Sequence, residues 1–222
     1  MLRFGEERVL NIAEDSIIAD PIAPVRTELG PGQRFAVQPT KKDFYLTASR
    51  MVPYKRIELI VRAFARMPAR KLVVIGDGPE RERIAAAARG ASNIELRGYQ
   101  PTPALAEAMG QARVFVFAAE EDFGIAPLEA QACGTPVIAY GRSGAAETIR
   151  GLDAAQPTGV FFEEQTVESI VDAVERFERD GSIITPAACR ANAERYAPER
   201  FRREFAALVE REWAAFRQRV GR

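Results

Sequence analysis

Histidine is absent from the 222-residue chain. That absence excludes a Ser-His-Asp or Cys-His nucleophile and any His-ligated metal within it. Acid–base chemistry then falls to carboxylates, to the substrate or to another polypeptide. Cysteine is scarce as well: Cys133 and Cys189 lie far apart inside helical patterns and form no metal or redox spacing. They read as small buried apolar residues, which implies a reducing compartment. Excess charge is also missing. Lys plus Arg and Asp plus Glu number 31 each, so no overall field draws nucleic acid or an acidic membrane. No signal-peptide pattern and no long apolar run occurs, so the expected location is the cytoplasm. What is present is ordinary globular material: 47% hydrophobic residues, enough for one large or two small domains with a core.

The first forty residues do not read like the start of a domain. Phe4 to Asn11 is a short amphipathic piece and Ser16 to Ala19 a short strand-like one. Pro21, Pro24, Gly30, Pro31, Gly32 and Pro39 then punctuate a linker. From Phe44 the pattern changes to short β-rich runs alternating with helical ones. The runs Phe44–Ala48, Leu72–Ile75, Ile94–Leu96, Val114–Phe117, Val137–Tyr140 and Gly159–Phe162 predict about six strands. Ile57–Met67, Glu80–Arg89, Pro103–Gly110, Pro127–Cys133 and Ala145–Ile149 predict the helices between them. This repeat predicts an α/β fold with a doubly wound, Rossmann-like parallel sheet and helices on both faces. Extra C-terminal helices follow near Val167–Glu178, Pro186–Tyr196 and Pro198–Val220. The last carries Phe201, Phe205, Leu208, Val209, Trp213 and Phe216 on one stripe, which reads as packing surface.

The stretch Glu120-Glu121-Asp122-Phe123-Gly124-Ile125-Ala126-Pro127-Leu128-Glu129 follows the fourth apolar run. In such sheets, ligands bind beyond the carboxyl ends of the strands, and helix N-termini there offer free N–H groups to phosphate. Pro127 suits a first helical turn, and Gly134 suits the helix C-terminus. Glu121 and Glu129 can therefore face one crevice, where a carboxylate accepts two hydrogen bonds from vicinal hydroxyls. Spacing alone leaves an alternative of equal weight: a solvated loop, with Glu129 a helix-dipole partner contributing ~0.3–1 kcal/mol. Ser49-Arg50-Met51-Val52-Pro53-Tyr54-Lys55 sits after the first strand and places two cations five apart, able to clamp a pyrophosphate. A solvated basic loop is the alternative there. Gly76-Asp77-Gly78-Pro79 is a tight turn without the third glycine of a dinucleotide fingerprint, because Arg81 stands there. Arg97-Gly98-Tyr99-Gln100 follows the third strand, with Tyr99 free to stack or to pack. Ser143-Gly144-Ala145-Ala146-Glu147 follows the fifth and can present N–H groups to phosphate.

Glu121, seven intervening residues and Glu129 resemble the E-x7-E motif of the retaining, two-lobed GT-B glycosyltransferases of the large group-1 family (family 4). Phe123-Gly124, Pro127, Glu129-Ala130 and Gly134-Thr135-Pro136 are similar to that family too. The run from Arg50 to Lys55 resembles its diphosphate-binding Arg…Lys pair, with Tyr54 replacing a commonly acidic or polar residue. Gly76 to Pro79 resembles its G-x-G-P loop. The resemblance implies that residues 1–40 are a remnant of the first lobe and an interlobe linker. It makes 41–198 the donor-binding domain and 199–222 a C-terminal amphipathic helix, which in the family crosses back to the first lobe. It assigns catalytic roles to Arg50, Lys55 and Glu121. It assigns donor binding to Glu129, Phe123, Gly124, Ile125, Gly78, Arg97, Gly98 and Tyr99. The implied substrates are a nucleotide-diphosphate sugar, with GDP-mannose favoured by the Glu120–Ile125 run, and a glycan or lipid-linked acceptor. No metal or other cofactor and no nucleic acid is expected. The missing first lobe or a partner chain would complete the enzyme, and the acceptor would bring it to the inner membrane face. The alternative is a non-catalytic nucleotide-sugar-binding subunit or a truncated relative that needs a separate lobe.

Overall fold

The computed structural model describes residues 41–220. The expectations for Phe4–Asn11, Ser16–Ala19 and the linker fall outside them. Six parallel strands form one sheet in the order β3-β2-β1-β4-β5-β6. They are β1 Tyr45–Ala48, β2 Leu72–Ile75, β3 Ile94–Gly98, β4 Val114–Phe117, β5 Val137–Tyr140 and β6 Gly159–Phe162. The helices are α1 Ile57–Ala65, α2 Arg81–Ala87, α3 Thr102–Gln111, α4 Ile125–Ala132, α5 Ser143–Thr148, α6 Val167–Asp180, α7 Pro186–Glu194 and α8 Pro198–Val220. The predicted doubly wound fold is what the chain adopts.

Strand alternation divides the core. Tyr45, Leu72, Val74, Val114, Val116 and Ile138 face one layer, filled by Ile60 and Phe64 of α1, Ile84 of α2 and Ile170, Val174 and Phe177 of α6. Leu46, Val73, Ile75, Phe115, Phe117 and Ala139 face the other, against Met109 of α3, Ala130 of α4 and Ala145 of α5. Buried on both faces, β2 and β4 are apolar throughout and β1 departs from that only at buried Thr47, the pattern of interior parallel strands. Helix α1 shows why the pattern folds: Ile57, Ile60, Val61 and Phe64 recur at helical spacing and are buried, and the Phe64 ring lies 5.0 Å from that of Tyr45. Edge strand β3 is only half-buried, with Leu96 exposed.

Helix α4 begins at Ile125, two residues earlier than predicted. Gly124, at φ 79°, takes the left-handed conformation that turns the acidic loop into the helix, so Pro127 falls third rather than first. Both positions lie in the first turn, where a missing N–H costs nothing. Behind α4, buried Asn192 donates to Gln131 Oε1 at 2.7 Å and to the Thr148 carbonyl at 2.8 Å, tying α4 to α5 and α7. Cys133 and Cys189 are buried and unpaired, and burial pushes their thiols up to about 11 and about 12. They behave as the small apolar residues expected. Helix α8 runs unbroken for 23 residues with its aromatic stripe exposed. Among the described residues, no helix is long and apolar enough to cross a membrane.

Candidate donor-sugar site

Strand order reverses between β1 and β4: the chain continues to β2 and β3 on one side and to β5 and β6 on the other. At that switch point the loops leaving the two strands splay apart, which leaves a ligand crevice beyond their carboxyl ends. A crevice of about 870 Å³ lies there. Ser49, Arg50, Tyr54 and Lys55 line it from β1, Gly76 and Asp77 from β2, and Glu120 to Ala126 with Glu129 from β4 and α4. Tyr99, Gln100, Leu105 and Met109 close one end.

Lys55 and Glu121 form an ion pair although 66 residues separate them. A single 3₁₀ turn, Pro53–Lys55, followed by Arg56 at φ 53°, carries the lysine into the crevice before α1 begins. Its ammonium also lies 5.2 Å from the centre of the Tyr54 ring and 5.9 Å from that of Phe117, close enough for cation–π attraction. The Arg50 guanidinium is exposed and makes no hydrogen bond or ion pair among the described residues. Glu129 sits one helical turn into α4 and its carboxyl has no partner among the described residues. Burial alone pushes it from 4.5 up to about 7. A half-buried crevice carboxyl without a protein donor keeps its oxygens open to hydrogen-bond donors from a ligand.

The structure gathers Arg50, Lys55, Glu121, Glu129, Phe123, Gly124, Ile125 and Tyr99 around this crevice. Three other residues singled out in the sequence do not line it. Gly78 packs on the backbone of Met51, whose carbonyl would meet any Cβ placed there. Arg97 turns to Glu95, with Nε 2.8 Å from its carboxylate on the edge strand. Gly98 supplies its carbonyl to the Gly76 N–H at 2.9 Å. The glycine that borders the crevice is instead Gly76, at φ 132°, where a Cβ would overlap the Ser49 carbonyl oxygen. Gly76→Ala combines a forbidden conformation with that overlap, so we expect it to lower Tm by roughly 5–10 °C. An unchanged Tm in thermal unfolding contradicts this account of the loop. The N–H of Gly144 also has a different task from phosphate binding: it donates to the Glu121 carbonyl at 2.8 Å. Leu105 and Met109 escaped sequence reading because they look like any apolar face of a helix. Among the described residues, no three His, Cys, Asp or Glu side chains gather closely enough to hold a metal ion.

The profile of the family "Glycosyl transferases group 1" matches residues 33–196. The chain belongs to this family. It is 31% identical over 207 residues to the GDP-mannose-dependent alpha-(1-6)-phosphatidylinositol monomannoside mannosyltransferase of Mycobacterium tuberculosis, a match covering 84% of this chain and 52% of that protein. The chain therefore spans about half the length of this relative. Among solved structures it resembles the pneumococcal O-GlcNAc transferase GtfA in complex with UDP and GlcNAc, with TM-score 0.64 and 22% identity over 78% of this chain and 36% of that one. The GtfA/B complex matches equally, with TM-score 0.64, 21% identity and the same coverage. These likenesses establish the glycosyltransferase fold, and the sequence match establishes the transferase family.

Proposed function

We propose that this group-1 glycosyltransferase chain is the donor-binding lobe of a retaining hexosyltransferase. The observation that carries this reading is the meeting of Arg50, the Lys55–Glu121 pair and the unpartnered Glu129 in one crevice at the switch point. The Glu129 carboxylate would accept the vicinal ribose hydroxyls of a nucleotide-diphosphate sugar. Glu121 and the backbone from Phe123 to Ile125 would hold the sugar, and the end bearing Tyr99 would take the base. Arg50 and Lys55 would bind the diphosphate and neutralise the charge that grows as the sugar–phosphate bond breaks, an interaction strongest in the transition state. With two cations in that role, no metal ion is required. The departing phosphate would take the proton of an acceptor hydroxyl attacking from the same face, which retains the anomeric configuration. The likeness to a GDP-mannose-dependent enzyme supports a GDP-mannose donor and a lipid-linked or glycan acceptor at the inner membrane face.

Because the chain spans about half of that relative, the acceptor side would come from a first lobe, in the same protein or as a partner chain. A structure like that of the GtfA/B complex is consistent with a two-chain assembly. The 222-residue chain alone is then expected to bind donor but to transfer sugar poorly. Robust transfer to a glycan acceptor by the purified chain contradicts this.

Titration of the half-buried Glu129 carboxyl supplies the test of the site. The folded-state pKa of Glu129 is raised, so the ionised form is the disfavoured one in the empty crevice, and the group costs stability as pH rises from 4.5 through about 7. Hydroxyl donors reverse that preference, because they bond to the ionised form. Affinity for GDP-mannose, whose diphosphate does not titrate in this range, should weaken about tenfold from pH 8 to pH 6. Calorimetry across that range should show this slope in the wild type and a flat profile in Glu129→Gln. A pH-independent wild type contradicts the ribose-binding role.

A further inference from the structure

The loop that joins β4 to α4 carries Glu121 and Phe123 but has no secondary structure of its own between Ala118 and Gly124. Three groups outside the crevice hold it from behind. Gln165 Nε2 donates to the Ala118 carbonyl at 2.8 Å, where the loop leaves the strand. The Gly144 N–H donates to the Glu121 carbonyl at 2.8 Å, and a Cβ at Gly144 would collide with the backbone of Asp122 and Phe123. The third is Tyr196, in the short link between α7 and α8. Its ring meets that of Phe123 edge-on, with centroids 5.9 Å apart and planes at 71°. Its hydroxyl donates to the Glu147 carbonyl in α5 at 2.8 Å.

Phe123 needs such support. It is 47% exposed at the lip of the crevice, and an aromatic ring on a loop has several rotamers available unless a neighbour selects one. Tyr196 is anchored by its hydroxyl to a helix of the sheet layer and offers its ring as that neighbour. Edge-to-face geometry is the favoured one for two aromatic rings, so the contact fixes an angle as well as a position.

We infer that Tyr196 is a positioning residue for the sugar half of the donor, acting through Phe123. The inference rests on the proposed function, in which the Phe123 segment meets the sugar while Arg50, Lys55 and Glu129 meet the nucleotide. It assigns specificity to a residue that neither lines the crevice nor belongs to any of the loops above the sheet. It also gives the root of α8 a direct mechanical link to the sugar subsite.

The test compares bare GDP with GDP-mannose, and UDP with UDP-glucose, by calorimetry on the whole chain. Tyr196→Ala is expected to weaken the sugar nucleotide about 3- to 10-fold while leaving the matching diphosphate unchanged. Tyr196→Phe keeps the ring contact, loses only the hydroxyl bond to Glu147, and should restore most of the sugar-nucleotide affinity. In a Phe123→Ala background, Tyr196→Ala should have no further effect on the sugar nucleotide, since the group it positions is gone. A role confined to stability weakens diphosphate and sugar nucleotide alike, and that result overturns the inference. So does an additive effect of the two substitutions. Failure of the wild type to bind any of the four ligands is a different outcome: it overturns the proposed function, and the inference with it.

Discussion

Lys55→Ala is expected to weaken nucleoside diphosphate binding by about 100-fold, a loss far beyond that of an ordinary surface lysine. One charge-assisted contact to phosphate contributes ~1.5–3 kcal/mol, or roughly 10- to 150-fold. The surroundings push this site to the upper end. Two cations, Arg50 and Lys55, share the crevice with five acidic residues, Asp77, Glu120, Glu121, Asp122 and Glu129. Removing Lys55 also releases Glu121, whose carboxylate would then face the diphosphate with its charge uncompensated. Were the pair merely a solvated surface bridge, worth ~0.2–1 kcal/mol, the substitution would change affinity by no more than about 5-fold. The double substitution Lys55→Ala with Glu121→Ala separates the two contributions. It should recover part of the loss, because the repelling carboxylate has gone with the cation. Calorimetric titration of the single and double variants with GDP and UDP measures both effects, and a Lys55→Ala affinity within 5-fold of wild type contradicts the diphosphate role.

Glu129→Leu moves binding and stability in opposite directions, which makes it the sharpest single substitution in the crevice. The carboxyl is half-buried with no partner among the described residues, and desolvation raises its pKa to about 7, so at pH 8 it is held ionised at a cost in stability. Replacing it by an apolar side chain of similar size removes that cost. We expect the empty chain to gain about 1–3 kcal/mol at pH 8, and little at pH 5, where the group is neutral in the fold. Nucleotide binding should fall by more than about 100-fold, since two hydrogen bonds from ribose hydroxyls to a charged acceptor are lost together. A residue that only steadies the helix N-terminus would show the reverse on stability: its removal would cost ~0.3–1 kcal/mol at pH 8. Denaturant unfolding at the two pH values, with a binding titration at pH 8, decides between them.

Much of this molecule was legible before its coordinates. The apolar runs of β2, β4, β5 and β6 match the observed strands residue for residue, because strands buried on both faces leave an unmistakable record. One edge is less clear. Strand β3 is half-buried and extends to Gly98, two residues beyond its apolar run, since backbone pairing with β2 continues after side-chain burial stops. Pro127 marks the start of α4 two residues too late in the sequence, because the left-handed conformation of Gly124 is what opens the helix. A Gly-Asp-Gly-Pro run does not say which glycine faces a ligand. That depends on the path of the β1 loop: its backbone lies against both glycines, at Ser49 and at Met51, and only Gly76 is left lining the crevice. Nothing in the sequence tells Arg97 from a ligand-binding cation, but on an edge strand it pairs with Glu95, two residues away on the same face. The contact of Tyr196 with Phe123 left no trace at all, for no period or spacing joins residues 73 apart in different layers.

The most direct test of the donor-lobe account is a thermal unfolding scan of the wild-type chain with GDP, UDP, GDP-mannose and UDP-glucose in turn. A ligand at 100 times its Kd stabilises the folded state by about 2.7 kcal/mol, which corresponds to a rise in Tm of roughly 5–10 °C for a domain of this size. The account predicts such a rise with one base and its sugar nucleotide, and a smaller one or none with the other base. No rise with any of the four, at millimolar concentration, would contradict it.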